Sequence, residues 1–131
     1  MNESPETTYS ISDLAREFEV TTRTIRFYEE KQYLTPDRVG RNRVYSRRDR
    51  THLRLLLRGR RLGWSLEDTW ELISLYDSES GEAAQLHAML QRLADTRRAL
   101  QRQREDIDRA ESELTDIEDR CRKQLQIAES G

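Results

Sequence analysis

Apolar residues in the first part of the chain recur at helical spacing. Those between residues 11 and 18 share one face, which predicts a short helix capped by Ser10 or Ser12. A second apolar face follows from residue 22 to about residue 31, after the cap offered by Thr21–Thr22. Two short helices joined by roughly three or four residues are typical of a helix-turn-helix unit.

The next pattern is that of a hairpin followed by two further helices. Pro36 ends the second helix, because proline disfavours helical geometry in the residue before it. Residues 38–45 alternate in polarity, which predicts a two-stranded wing. Ser46–Asp49 is a capping-box sequence that opens a third helix, which stops at Gly63. Ser65–Asp68 opens a fourth helix in the same way.

The last third of the chain carries a seven-residue pattern. Residues 82–130 contain neither Gly nor Pro, and apolar side chains recur at two positions of each heptad. A helix of this length spans about 70 Å, so a head this small cannot bury its seam, and a second copy is the natural partner. The predicted dimer seam comprises Leu86, Met89, Leu93, Leu100, Ile107, Ala110, Leu114, Ile117 and Cys121.

These patterns divide the chain into three parts. We predict a disordered tail over 1–8, a winged helix-turn-helix head with its connecting helix over 9–77, and a dimerisation helix over 82–129. The predicted fold class is therefore mostly α: a winged helix-turn-helix head, connecting helices and a long coiled-coil helix.

Charge is distributed unevenly along the chain. The net charge of −2, taken alone, argues against a nucleic-acid partner. Residues 1–64, however, hold 14 basic and 9 acidic side chains, whereas residues 65–131 hold 9 and 16. Ten arginines and a single acid lie between residues 38 and 61. Because the guanidinium fork suits phosphates and guanine edges, we predict that the first half binds double-stranded DNA.

Other functional classes lack their sequence signatures. The single cysteine excludes an intrachain disulfide framework. No apolar run reaches the length of a membrane span and the N-terminus lacks a signal-peptide core, so we expect a cytoplasmic, nucleoid-associated protein with no membrane partner. His52 and His87 have no clustered partners for a metal site. There is no phosphate-binding glycine loop and no nucleophile beside a base, so we expect neither an enzyme nor a cofactor.

Several short motifs in the head carry a family likeness. They are RTIRFYE, the Leu-Thr-Pro turn, the Arg-x-Tyr wing and the Leu-Gly-x-Ser-Leu junction, which occur in one order at matching spacing. Over residues 9–77 the chain resembles the MerR family of bacterial transcription regulators. The family usually has Gly-Leu before the proline that precedes the wing, where this chain has Tyr33-Leu34, so we expect an altered turn there.

The resemblance implies a homodimer of winged-helix heads joined by an antiparallel coiled coil. Members of the family bind a palindromic site between overspaced promoter elements. On effector binding they bend and untwist that DNA so that RNA polymerase can engage, which is control by DNA deformation. A narrower likeness, in YDSESGEAAQL and IEDRC, is to the regulators of leucine and isovalerate catabolism. It implies a metabolite of branched-chain or acyl-CoA breakdown as effector.

The second helix is the expected recognition helix. Arg23 lies at its start and is expected to read base edges. Arg26 and the hydroxyl of Tyr28 are expected to contact phosphates. Phe27 packs either in the core or on a sugar.

The wing is the second expected DNA contact. Arg43 and Tyr45 lie two residues apart on one strand face, where Tyr45 can contact the DNA backbone, pack beneath the wing, or do both. Arginines beside the wing are either peripheral phosphate contacts or ordinary surface residues. The full predicted DNA-binding set is Thr22, Arg23, Arg26, Phe27, Tyr28, Arg38, Arg41, Arg43, Tyr45 and Arg47.

An aromatic-rich stretch joins the head to the long helix. It is either a hydrophobic joint or, since the family's effectors act near this joint, the wall of an effector pocket, formed by Trp64, Trp70, Ile73 and Tyr76. Cys121 is expected to be a small buried seam residue. The alternative function is a DNA-binding scaffold whose coiled coil recruits a protein, and whose head has no sequence preference.

Overall fold

The computed structural model describes residues 7–78 and 81–131. The chain forms two compact units that divide between Gly81 and Glu82. Most of the predicted tail lies outside the described residues, as does the middle of the turn predicted at 78–81.

The first unit opens with the predicted helix-turn-helix. Helix α1 (Ile11–Phe18) begins with a capping box, in which Ser10 Oγ accepts from the Asp13 amide and the Asp13 carboxylate accepts from the Ser10 amide. Helix α2 (Thr22–Glu30) begins after Thr21, whose side chain accepts from the amide of the third helical residue. The helix-turn-helix prediction is confirmed.

The turn after α2 has its left-handed residue one position before Tyr33. The left-handed residue is Gln32, with φ 66°, and Tyr33 is not the strained position. The amide of Gln32 donates to the Glu29 carbonyl and that of Tyr33 to the Tyr28 carbonyl, each at 2.9 Å. This pair of bonds is the Schellman closure, which places its left-handed residue one position before Tyr33. Gln32 therefore occupies the position at which glycine is favoured, and Tyr33 is free to pack inward.

The wing belongs to a three-stranded antiparallel sheet in the order β1-β3-β2. Strand β2 (Asp37–Val39) and strand β3 (Asn42–Ser46) form the predicted hairpin around Gly40, with φ 67°. Strand β1 (Thr8–Tyr9) pairs with the far end of β3. The residue Thr8, which the sequence assigned to the tail, therefore belongs to the sheet.

Two further helices complete the first unit. Helix α3 (Arg47–Leu62) starts with the predicted capping box and ends at Gly63, with φ 79°. Helix α4 (Leu66–Asp77) is capped by the Ser65 hydroxyl. The two helices approach closely where Gly59 of α3 faces Thr69 of α4, because glycine has no Cβ to separate them.

One core holds the first unit together. Its buried side chains come from both helices of the helix-turn-helix, the loop after α2, strand β3, and helices α3 and α4; they are Leu14, Ile25, Tyr28, Leu34, Tyr45, Leu53, Leu55, Leu56 and Ile73. Burial of this apolar surface is the main stabilising term for a unit of this size. The recognition helix and the wing are thus fixed to one core.

The second unit is a single helix. Helix α5 (Ala83–Ser130) has 48 residues, in agreement with the heptad pattern. No helix among the described residues is both long enough and apolar enough to cross a membrane. The predicted mostly helical fold, with a small wing sheet and a long C-terminal helix, is confirmed.

Candidate nucleic-acid interface

The exposed face of α2 is cationic. Arg23 and Arg26 are both exposed, three residues apart on the helix. The Arg26 guanidinium donates to the Thr22 hydroxyl at 2.8 Å, which holds it along the N-terminal half of the helix. Phe27 was predicted to pack either in the core or on a sugar. It is 44% exposed and therefore lies on the surface. This face offers two guanidinium groups and an aromatic ring at the position where a recognition helix meets DNA.

Two residues that were predicted to contact the DNA backbone lie in the core. Tyr28 is 3% exposed and Tyr45 is fully buried, and both belong to the hydrophobic core. The hydroxyl of Tyr45 donates to Glu29 at 3.3 Å. Burial and the nearby Glu29 carboxylate raise the pKa of Tyr45, so the hydroxyl stays protonated and acts as a donor. Tyr45 thus packs beneath the wing, which was one of its predicted places.

The wing arginines converge on one acid. Arg43 Nε donates to Glu29 Oε2 at 2.7 Å, and a terminal nitrogen of Arg38 lies 3.8 Å from Glu29 Oε1. Arg38 and Arg43 are directly opposed across the β2–β3 hairpin. Arg41, at the exposed tip of the hairpin, and Arg47, at the exposed start of α3, extend the basic surface.

A cleft of about 620 Å³ lies beside the recognition helix. Arg23 and Phe27 of α2 line it, together with Arg60 near the end of α3 and Trp64 in the turn that follows α3. The sequence placed Arg60 only within a run of arginines and Trp64 only in the effector stretch. Both residues lie near α2 because the turn between α3 and α4 packs beside it. That packing is a tertiary contact, so no local sequence pattern predicts it.

The four residues of the predicted effector wall differ in their surroundings within the first unit. Ile73 is fully buried in the core, whereas Tyr76 is 59% exposed. Trp70 packs against Tyr33, with ring centroids 4.9 Å apart. Trp64 lines the cleft beside α2 instead. Within the first unit these four residues therefore have separate surroundings, and their role in effector binding stays a prediction.

A polar cluster lies beside Trp70. The ring of His52 meets Trp70 edge-on at 5.5 Å, and its Nε2 lies 3.0 Å from Asp77 Oδ2. Arg48 also donates to Asp77, at 3.1 Å. Burial alone would raise the pKa of Asp77, but the hydrogen bonds from His52 and Arg48 outweigh it and lower that pKa. Among the described residues, no group of three or more His, Cys, Asp or Glu side chains is placed to hold a metal ion.

The predicted seam of α5 is mostly exposed in the single chain. Met89 is buried, while the other eight predicted members are exposed; they are Leu86, Leu93, Leu100, Ile107, Ala110, Leu114, Ile117 and Cys121. A row of large apolar side chains along a helix is unfavourable in water. Cys121, expected to be buried on a dimer seam, is an exposed free thiol in the single chain.

Comparison with known families decides the broader assignment. The sequence profile described as MerR HTH family regulatory protein matches residues 9–74, and the one described as MerR, DNA binding matches residues 50–117. The chain belongs to the MerR family. As a member of this family it is a DNA-binding transcriptional regulator and not an enzyme.

Individual MerR-family relatives match most of the chain. The HTH-type transcriptional regulator CueR of Salmonella typhimurium is 33% identical over 123 residues, which cover 92% of this chain and 80% of that protein. HmrR of Rhizobium leguminosarum bv. viciae is 31% identical over 109 residues, covering 82% and 77%.

Solved MerR-family structures share the fold. A transcriptional regulator from Bacillus cereus has a TM-score of 0.63 at 22% identity, covering 84% of this chain and 79% of that one. HiNmlR, a MerR family regulator lacking the sensor domain and bound to promoter DNA, has a TM-score of 0.61 at 21% identity, covering 79% and 77%. At these identities the likeness establishes the fold alone.

Proposed function

We propose that this MerR-family regulator acts as a homodimer that binds a palindromic promoter site and changes the shape of its DNA. The observation that carries the proposal is the row of exposed apolar side chains along α5. A second copy covers that row with an antiparallel coiled coil. Dimerisation then places two basic heads on one particle, at a separation that the coiled coil sets.

Within each head, the proposed DNA contacts come from the exposed guanidinium groups. Arg23 reads base edges from the start of α2. Arg26, held by the Thr22 hydroxyl, meets a phosphate, and Phe27 packs on a sugar. The wing meets the backbone on the other side of α2. The proposed phosphate contacts here are Arg38, Arg41 and Arg43 of the wing and Arg47 at the start of α3.

The cleft beside α2 extends this proposed interface. Arg60 and Arg23 line the same cleft, and we propose that a DNA backbone that crosses the start of α2 meets both guanidinium groups. Trp64 lines the same opening. Contacts on two sides of the recognition helix would supply binding energy to bend the DNA. Bending a site of this kind costs about 1–6 kcal/mol.

Control by an effector and engagement of RNA polymerase are part of the same proposal. HiNmlR is bound to promoter DNA in its crystal structure, and we extend promoter binding to this chain. The effector is proposed to be a small metabolite that biases the dimer between two head spacings. A metabolite of branched-chain or acyl-CoA breakdown stays a prediction from the sequence.

The function can be tested with footprinting and one substitution. Footprinting on the neighbouring promoter DNA should protect a palindromic site, and a circularly permuted fragment should report its bend. Arg23→Ala should weaken binding to that site by about 1–3 kcal/mol and leave random-sequence DNA almost unaffected. Arg41→Ala is the matched control, because losing a phosphate contact should weaken both DNAs equally. An equal loss on both DNAs for Arg23→Ala would support the scaffold function instead.

A further inference from the structure

The carboxylate of Glu29 lies between the recognition helix and the wing. Its Oε2 accepts from Arg43 Nε at 2.7 Å and from the Tyr45 hydroxyl at 3.3 Å, and its Oε1 lies 3.8 Å from Arg38. The Glu29 side chain is only 18% exposed. A single acid on α2 therefore holds three side chains of the wing.

This arrangement reduces a charge repulsion within the hairpin. Arg38 and Arg43 are direct cross-strand partners, and like charges at such positions repel. The Glu29 carboxylate lies within ion-pair distance of both and offsets that repulsion. The wing can therefore carry two arginines side by side.

The same bond fixes how Arg43 is presented. Arg43 uses Nε to reach Glu29, and its terminal nitrogens bond no other residue in the part of the chain that the structure describes. Its side chain is 28% exposed. Those two nitrogens form a donor pair that matches two oxygens of a phosphate.

We propose that Glu29 is a positioning residue for DNA binding, which holds Arg43 by Nε so that its terminal nitrogens face a backbone phosphate. The proposal rests on the proposed backbone contact of Arg43. By charge alone, an acid beside a polyanion should oppose binding. A positioning role and a purely electrostatic role thus predict changes of opposite sign.

Binding of purified full-length variants to a fluorescent random-sequence duplex tests this, since phosphate contacts do not depend on sequence. Glu29→Gln removes the charge, and Glu29→Asp keeps the charge but shortens the reach to Nε. Both should weaken binding by about tenfold, equivalent to roughly 1.4 kcal/mol. Glu30→Gln, which removes an exposed acid from the same helix end, should leave affinity unchanged or raise it. Circular dichroism and thermal unfolding establish that each variant is folded.

An Arg43→Ala background separates the possible failures. If Glu29 acts through Arg43, Glu29→Gln should cause no further loss there. Unchanged or tighter binding by both Glu29 variants in the parent chain would overturn the positioning role. Undiminished binding by Arg43→Ala alone would instead overturn the proposed contact of Arg43 itself.

Discussion

Replacing Gly59 by Ala tests the closest approach in the head. An added Cβ would lie 2.1 Å from Thr69 Oγ1, 2.6 Å from its Cγ2 and 2.9 Å from its Cβ. Non-bonded carbon atoms prefer about 3.5–4.0 Å, so either α3 and α4 separate or Thr69 rotates. Thr69 is buried, and its hydroxyl donates to the Ser65 carbonyl at 2.8 Å. Rotation would therefore break a buried hydrogen bond.

The expected loss of stability follows from three terms. Overpacking a core costs about 1–3 kcal/mol, and a buried hydroxyl left without its partner costs about 1–3 kcal/mol. The higher helix propensity of Ala returns about 1 kcal/mol. Rotation of Thr69 leaves its own Cβ 2.9 Å from the added Cβ and relieves only part of the overlap, so both costs apply. The free energy of unfolding should therefore fall by about 1–5 kcal/mol. At roughly 4–8 °C per kcal/mol for a unit of this size, the Tm should fall by about 4–40 °C.

Scanning calorimetry of the parent, Gly59→Ala, Thr69→Ala and the double variant measures this. Thr69→Ala removes the two nearest atoms, so Gly59→Ala should cost clearly less in that background. Gly63→Ala is the matched control: its left-handed backbone makes Ala costly, but nothing lies within 4 Å of the added Cβ, so Thr69→Ala should not rescue it. A Gly59→Ala variant as stable as the parent, or equal losses in both backgrounds, would refute the reasoning.

Three further predictions concern a cap, an ion pair and the seam. Asp49→Ala removes the acceptor of two backbone amides and should lower the free energy of unfolding by about 2–4 kcal/mol in urea titrations. The Arg50 hydrogen bond lowers the pKa of Glu17 from 4.5, so this carboxylate stabilises the fold above pH 4.5 and the effect is lost as pH falls through the lowered pKa. The Tm of Arg50→Gln should therefore change less than that of the parent between pH 7 and pH 3, and an equal change would contradict this. Leu100→Glu should shift the sedimentation coefficient to that of a monomer, whereas Gln101→Glu should not; a dimeric Leu100→Glu would contradict the proposed seam.

The helices could be predicted because their signals are local. Capping residues at Ser46 and Ser65 and the stop at Gly63 act within one turn, and the heptads of α5 extend over many repeats. Strand β1 could not be predicted in this way. Its two residues are too few to show alternation, and its pairing with β3 depends on the fold of everything between them.

The aromatic residues of the head show where sequence reasoning fails. Phe27 and Tyr28 are neighbours on α2, yet Phe27 is exposed and Tyr28 is buried. Side-chain type does not decide between them, because tyrosine suits both a core and a wet surface. Helical phase does decide it: Tyr28 is three residues after the fully buried Ile25 and shares its face. A stricter use of the periodicity would have placed Tyr28 correctly.

The ten arginines between residues 38 and 61 show a different limit. The structure gives several of them acidic partners inside the head: Arg50 bonds Glu17, and Arg48 bonds Asp77. By contrast, Arg41 makes no ion pair with the residues that the structure describes. A guanidinium whose terminal nitrogen already bonds a carboxylate, as in Arg48 and Arg50, would have to exchange that carboxylate for a phosphate, with little net gain in charge pairing. Counting arginines therefore overstates the electrostatic contribution to DNA binding. The affinity of the head depends on the few guanidinium groups that its acids leave pointing outward.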